Sequence, residues 1–365
     1  MNRKSIVSTL AATTIGLIAT AQLTFATGTA QAEEKYTGEL LSTIDLGEPA
    51  EGFGGISGLT HLGGDEYMAL SDDSTGKSRM YRMTIPADYN ANDKIKVTDT
   101  IMLHDPQGNP YPKESVDPES IRLLPDGTLA WTTEGWAKDG NFIAPGIIIS
   151  DQQGKELRRI AAPAYHAPTP DGKMGISHNQ ANEGLTRIYG NDDILMTINE
   201  GTLIQDGEQN TEEHGMKVRL TQYSLSKGEA IAEYVVEIGP RYPHSKLRGP
   251  SEIIAANDGS FYIIERGYIP DNGNLGEIYR ITLDGATNVL GRSALDGTEV
   301  PVKKELVFDF ASMLKNDGTD PIDNVEALSW GPVLPDGRAQ LIVIADDNFN
   351  ETQRTLLDRI AIAKN

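Results

Sequence analysis

Glutamates and aspartates recur along this chain in front of and behind short apolar runs. In "PESIRLLPDGTLAWTTEG" from Pro118, "NEGLTRIYGNDDILMTINEG" from Asn182, "SEIIAANDGSFYIIERG" from Ser251 and "VEALSWGPVLPDGRAQLIVIADD" from Val325, an acid leads the run and acid returns at its end. A further copy, "ISGLTHLGGDEYMALSDD" from Ile56, has Ser57 in the leading place. Carboxylates repeated in this way can hold a hard cation, move protons, or do both. The leading positions are 57, 119, 183, 252 and 326. Their spacing of roughly 60 to 75 residues is an internal repeat, which points to an array of like units.

Each unit reads as a β-hairpin. "ILMTI", "FYII" and "QLIVIA" are rich in β-branched and aromatic residues, and Gly with Asp or Asn marks the turns. In an antiparallel hairpin the start of one strand lies beside the end of the other. Glu119 should therefore face Glu134, Glu183 face Glu200, Glu252 face Glu265, and Glu326 face Asp346 and Asp347, with Ser57 facing Asp72 and Asp73.

Two more strand-like runs follow each hairpin, such as "RMYRMTI" with "KVTDTIML" and "VRLTQYSL" with "IAEYVVEIG". Four antiparallel strands per repeat predict an all-β fold, a β-propeller of five or six blades. The last repeat offers only "LDRIAIA" after its hairpin, so "TGELLSTIDL" near the N-terminus should close the ring. A pair of β-sandwiches is disfavoured because one repeat runs through the chain. The leading strand of each blade should line the central channel and gather the acids at one mouth. Long connections at residues 104–116, 161–181, 239–249 and 311–323 should wall it.

Like charges in a partly dehydrated funnel need a bound cation, paired arginines or protonation. Calcium fits best among cations, since the chain has no cysteine and only six histidines. Asn182, Asn324 and Asn348 add neutral oxygens, and Arg219 and Arg266 are available to pair with remaining acids.

The formal net charge of −21 excludes nucleic acid and anionic lipid as expected partners. Residues 1–32 read as a secretory signal: Arg3 and Lys4, an apolar stretch from Ile6 to Ala26, then Ala30-Gln31-Ala32. No later stretch has the roughly 20 continuous apolar residues of a spanning helix. The expected product is residues 33–365 as one domain, secreted or held at the cell envelope, with no disulfide.

Motifs for other chemistries are missing. "GGISGL" at Ser57 lacks the last glycine of a nucleophile elbow, and there is no zinc-binding His-Glu-x-x-His, P-loop or dinucleotide fingerprint. "DGTDPIDN" from Asp317 has the acid density of an EF-hand loop with the wrong spacing. His166 and His178 flank a long loop, as proton shuttles or merely solvated side chains.

"DPESI", "NEGLT", "SEII" with "FYIIERG", "NVEALSWGPVLPDGR" and "IADDNF" together resemble the phytase-like family, described as esterase-like activity of phytase. The resemblance runs in order from Gly55 to about Leu357; Ser120 and Ala327 stand where the family has glycine, and Asp347 where it often has asparagine. By position it implies Asp117, Glu119, Glu183, Glu252, Glu326 and Asp347 as motif acids and metal ligands, with Asn348 and Arg266 as polar companions. It implies calcium-assisted hydrolysis of a small-molecule ester, with phosphoric esters first. Glu183 and Glu326 would handle protons while Arg266 steadies developing charge. Lys173, Lys246 and Arg248 are the loop candidates for further basic contacts. A lactone or carboxyl-ester hydrolase, or a non-catalytic calcium-stabilised envelope module, would suit the same acids.

Overall fold

The computed structural model describes residues 35–88, 95–269, 273–313 and 322–365. The signal-like stretch and most of the EF-hand-like stretch lie outside these residues. Five four-stranded antiparallel sheets form the blades of a propeller. From the axis outwards, the first blade runs Ile56–Gly63, Glu66–Ser71, Arg79–Thr84 and Lys96–Met102. The second is Pro118–Leu123, Leu129–Thr133, Gly146–Ser150 and Glu156–Ala161. The third is Asn182–Ile188, Asn191–Asn199, Met216–Ser224 and Glu229–Ile238. The fourth is Gly249–Ala255, Phe261–Ile269, Gly273–Thr282 and Lys303–Asp309.

The fifth blade is Asn324–Trp330, Ala339–Asp346 and Leu356–Lys364, completed by the N-terminal strand Tyr36–Asp45. Five blades is thus the count, and the ring closes as the sequence predicts. The innermost strands touch in cyclic order, the fifth blade's meeting the first's.

Local chemistry favours these hairpins. In three blades Asp126, Asp258 and Asp336 sit at the turn, and each Oδ1 accepts from the backbone N–H two residues on, at 2.9, 3.0 and 3.0 Å. The glycine between, Gly127, Gly259 or Gly337, has φ of 84°, 84° or 88°, a region open to glycine at little cost. Packing then holds the blades together. Five apolar clusters occupy the five gaps between neighbouring blades; the gap between the fourth and fifth holds Ile264, Ile278, Leu328, Val343 and Ile360. Each such fully buried side chain contributes about 1.5–3 kcal/mol. No helix among the described residues is long and apolar enough to cross a membrane.

Near the axis the backbones crowd. A Cβ on Gly58 would come within 2.7 Å of the Glu119 carbonyl oxygen, and one on Gly184 within 2.7 Å of the Ile253 nitrogen. Both neighbours are backbone and cannot swing away. Gly184→Val is therefore expected to cost about 1–3 kcal/mol in urea unfolding. An unchanged midpoint would show that the inner strands are looser than described.

Candidate functional site

Every innermost strand breaks its pairing at the same level. Register slips between Ile56 and Gly58, Pro118 and Ile121, Asn182 and Gly184, Pro250 and Glu252, and Val325 and Ala327. A bulge leaves a residue outside the ladder and re-aims its side chain. The residues so freed are Ser57, Glu119, Glu183, Ser251 and Glu326, with Ser120 also in the second break. Across each hairpin, just past the paired Ser71, Thr133, Asn199, Glu265 and Ala345, stand Asp72, Glu134, Glu200, Arg266 and Asp346. Two positions per blade therefore build one ring. Seven of its ten members are acids, and Asp117 beside them is an eighth.

The ring floors a cavity of about 880 Å³ lined by Asp72, Asp117, Glu119, Glu183, Arg266 and Glu326 among others. Arg266 reaches Glu200 Oε1 at 3.0 Å and Glu326 Oε1 at 2.8 Å. Ser57 donates to Glu119 Oε2 at 2.6 Å, and the Ile56 N–H to Asp346 Oδ1 at 2.8 Å. Oε2 of Glu134 and Oε2 of Glu183 are buried with no partner. Oxygens of Asp72, Glu326 and Asp346 lie within 4.8 Å of one another, as do those of Asp117, Glu119 and Glu134. These two trios are arrangements that a hard cation could close.

Burial, and then the neighbouring acids, push the carboxyls of Asp72, Glu119, Glu134, Glu183 and Asp346 far up from their ordinary range. Burial raises Asp117 and Glu200 to about 7, with Arg266 restraining Glu200. The Arg266 guanidinium is driven further up by Glu326 and Glu200 despite its burial. With no cation bound, burial and mutual repulsion therefore favour proton uptake by the ring.

Of the candidate site residues, Asp117, Glu119, Glu183, Glu326, Arg266 and Asn348 line this cavity. Glu252 does not line it. It occupies the column of Gly58, Ser120, Gly184 and Ala327, where the channel is narrow, and bonds Ser120 Oγ and Arg122 at 2.7 and 2.9 Å. Its pKa is raised to about 7 by burial, against the pull of Arg122. Asp347 also lies outside the trios; its Oδ1 accepts from the Gly55 and Phe349 N–H groups, while Asp346 takes the inward place. Glu265 does not face Glu252 but is bound by Arg248 and Lys304.

Other expectations also move. His166 is buried against Glu233 at 2.7 Å, and Arg219 pairs with Asp206 and Glu233 rather than with the ring acids. His178 packs edge-on to Trp136; burial, then Lys138, lowers its pKa, and its neighbour Asn179 is the residue that reaches the cavity. Loops 161–181, 239–249 and 311–323 contribute Asn179, Leu247 and Asp323 to the wall, and loop 104–116 contributes no lining residue. Lys173, Lys246 and Arg248 do not line the cavity. Asp72, Glu134, Glu200 and Asp346 complete the ring although the motif match passes over them. Aligning the repeats on Leu59, Ile121, Leu185, Ile253 and Leu328 instead of on the acids would have found the ring.

A family model described as phytase-like, esterase-like activity of phytase, matches residues 51–349. No curated protein sequence matches the chain. Among solved structures, a xylan β-1,4-xylosidase from Bacillus halodurans C-125 superposes with TM-score 0.46 at 13% identity, over 86% of this chain and 53% of its own. The chain thus spans about half the length of that protein. A GH43_1 enzyme from Xanthomonas citri gives 0.46 at 8% identity, over 88% and 90%. An α-L-arabinanase from Penicillium chrysogenum gives 0.40 at 9%, over 89% and 98%.

The shifted carboxyls set a sign for stability. Protons kept by the folded ring but released by the unfolded chain make stability fall as pH rises from the ordinary carboxyl range through about 7. In chelator, Tm is expected to be higher at pH 5 than at pH 8; the reverse order would contradict a protonated ring. Arg266→Met should cost about 3–5 kcal/mol at pH 8, because Glu200 and Glu326 lose their counter-charge. The penalty should shrink at pH 5, where Glu200, raised to about 7 by burial, takes up a proton.

Proposed function

Since the chain belongs to the phytase-like family, we propose that it is a calcium-dependent hydrolase of phosphoric esters working in the acid-lined cavity. The observation that carries this reading is the pair of carboxylate trios beside buried, unpartnered oxygens of Glu134 and Glu183. Oxygen-only donors and the absence of cysteine suit a hard divalent ion. Asp72, Glu326 and Asp346 would hold one ion, and Asp117, Glu119 and Glu134 another. Held there, calcium would supply positive charge to polarise a phosphoryl oxygen and acidify water.

The chain's own residues divide the remaining work. Glu183, lining the cavity with Oε2 unpartnered, is the group placed to accept a proton from attacking water. Arg266, fixed between Glu200 and Glu326, offers the cavity a permanent positive charge for an oxyanion. Ser57 and Asn324 hold Glu119 and Glu326 in place by hydrogen bonds. Export rests on residues 1–32 and belongs to the same proposal.

Activity on phosphomonoester, phosphodiester, lactone and carboxyl-ester panels tests this reading. Turnover of a phosphoric ester should vanish in chelator, return with calcium, and fall at least ~100-fold in Glu183→Gln. Calorimetry should show calcium binding weakened in Glu326→Gln. Turnover of lactones alone would replace the phosphoester reading. Activity and Tm indifferent to chelation would remove the metal from it.

A further inference from the structure

The wall above the acids differs in chemistry from the floor. Six amide residues line the cavity: Asn179, Asn274, Asn324, Asn348, Asn350 and Gln353. Asn324 already donates to Glu326, Asn348 donates to Gln353, and Asn350 Oδ1 accepts from Thr352. Among the described residues Arg266 is the one lysine or arginine that lines it, and both of its terminal nitrogens are already held by Glu200 and Glu326. Arg354, at the rim, is bonded to Asp323. A polyanionic ligand would therefore meet acids below and uncharged amides around, with little to neutralise it beyond Arg266 and any cations at the floor.

An amide offers a donor and an acceptor together, the complement of a hydroxyl group. Asn274 gives the sharpest sign that such a partner is meant. The residue is only 4% exposed, yet it borders the cavity and its Oδ1 has no hydrogen-bond partner. A buried acceptor left unpaired is costly, a cost that a ligand hydroxyl would relieve. Tyr268, 39% exposed, adds an open aromatic face to the same wall. Such rings pack against the C–H faces of saturated polyols, burying apolar area while hydroxyls reach the amides.

We infer that the substrate has a neutral, hydroxyl-rich body of the sugar or polyol class, carrying at most one anionic group for the floor. This rests on the proposal that the cavity is the site of hydrolysis, and it narrows the ligand: the multiply phosphorylated polyols are excluded as preferred ligands. The amides and Tyr268 select the body, and the acid ring, with whatever cations it holds, receives the group to be cleaved.

Calorimetry on the full calcium-loaded protein and on its Glu183→Gln variant can compare a sugar monophosphate with inositol hexakisphosphate, at fixed free calcium. The monophosphate should bind at least ~30-fold more tightly, about 2 kcal/mol. In Asn348→Lys with Asn350→Lys that preference should fall at least ~10-fold, and Asn274→Leu should weaken the monophosphate alone. Equal or tighter binding of the hexakisphosphate by the unaltered protein overturns the inference, as does failure of the monophosphate to bind. Monophosphate binding in this pattern with no turnover of any ester supports the inference while sinking the hydrolase reading. Turnover that favours the hexakisphosphate does the opposite.

Discussion

Carboxylates that share one poorly hydrated space cannot all be charged without a compensating cation. Eight of them meet at the end of this propeller, against one guanidinium. The surrounding structure is arranged around that conflict. Arg266 offsets part of the charge, backbone N–H groups at Ile56 and Ala181 offset a little more, and burial favours protonation of what remains. A rigid scaffold is needed to keep the acids together under this repulsion, and five blades locked by apolar gaps provide it. On the proposed reading the same frustration would make the ring a receptor: a hard cation would replace the protons and relieve the repulsion together.

The fourth blade is where the repeat departs from itself, and the departure has a purpose in physical terms. Its bulge carries Ser251 rather than an acid, and its second strand turns Arg266 to the axis in the column of Asp72, Glu134, Glu200 and Asp346. A fully symmetric acid ring would have no internal counter-charge. Below this level Glu252 stretches across the narrow column of small residues to Ser120 and Arg122. One side chain fits there because the other four blades supply Gly58, Ser120, Gly184 and Ala327. Glu252 and Arg122 are both buried at that level.

The fold was legible in the sequence because hairpins announce themselves locally: Asp-Gly turns and β-branched runs recur, and the missing fourth strand of the last blade identified the closing segment near Tyr36. The site was legible to within one residue. Glu119, Glu183 and Glu326 were placed correctly, since the acid itself marks the bulge. Glu252 and Asp347 were each displaced by one position, because a bulge adds a residue to one strand and simple alternation then miscounts which side chain turns inward. The pairing of His166 with Glu233 joins residues 67 apart in different elements, and nothing local encodes such a contact; Arg219 meets Glu233 from the neighbouring strand, 14 residues away. Nor does any motif mark Asn274, whose importance comes from burial beside a cavity that only the assembled blades create.

The most direct test of the acid ring as a cation receptor is a crystal structure of the protein with terbium or calcium, using anomalous scattering to locate the ions. The expected result is a peak between Asp72, Glu326 and Asp346 and another between Asp117, Glu119 and Glu134, both lost in Glu119→Gln with Glu326→Gln. Ions found elsewhere on the molecule, with neither position filled at saturating metal, would contradict it.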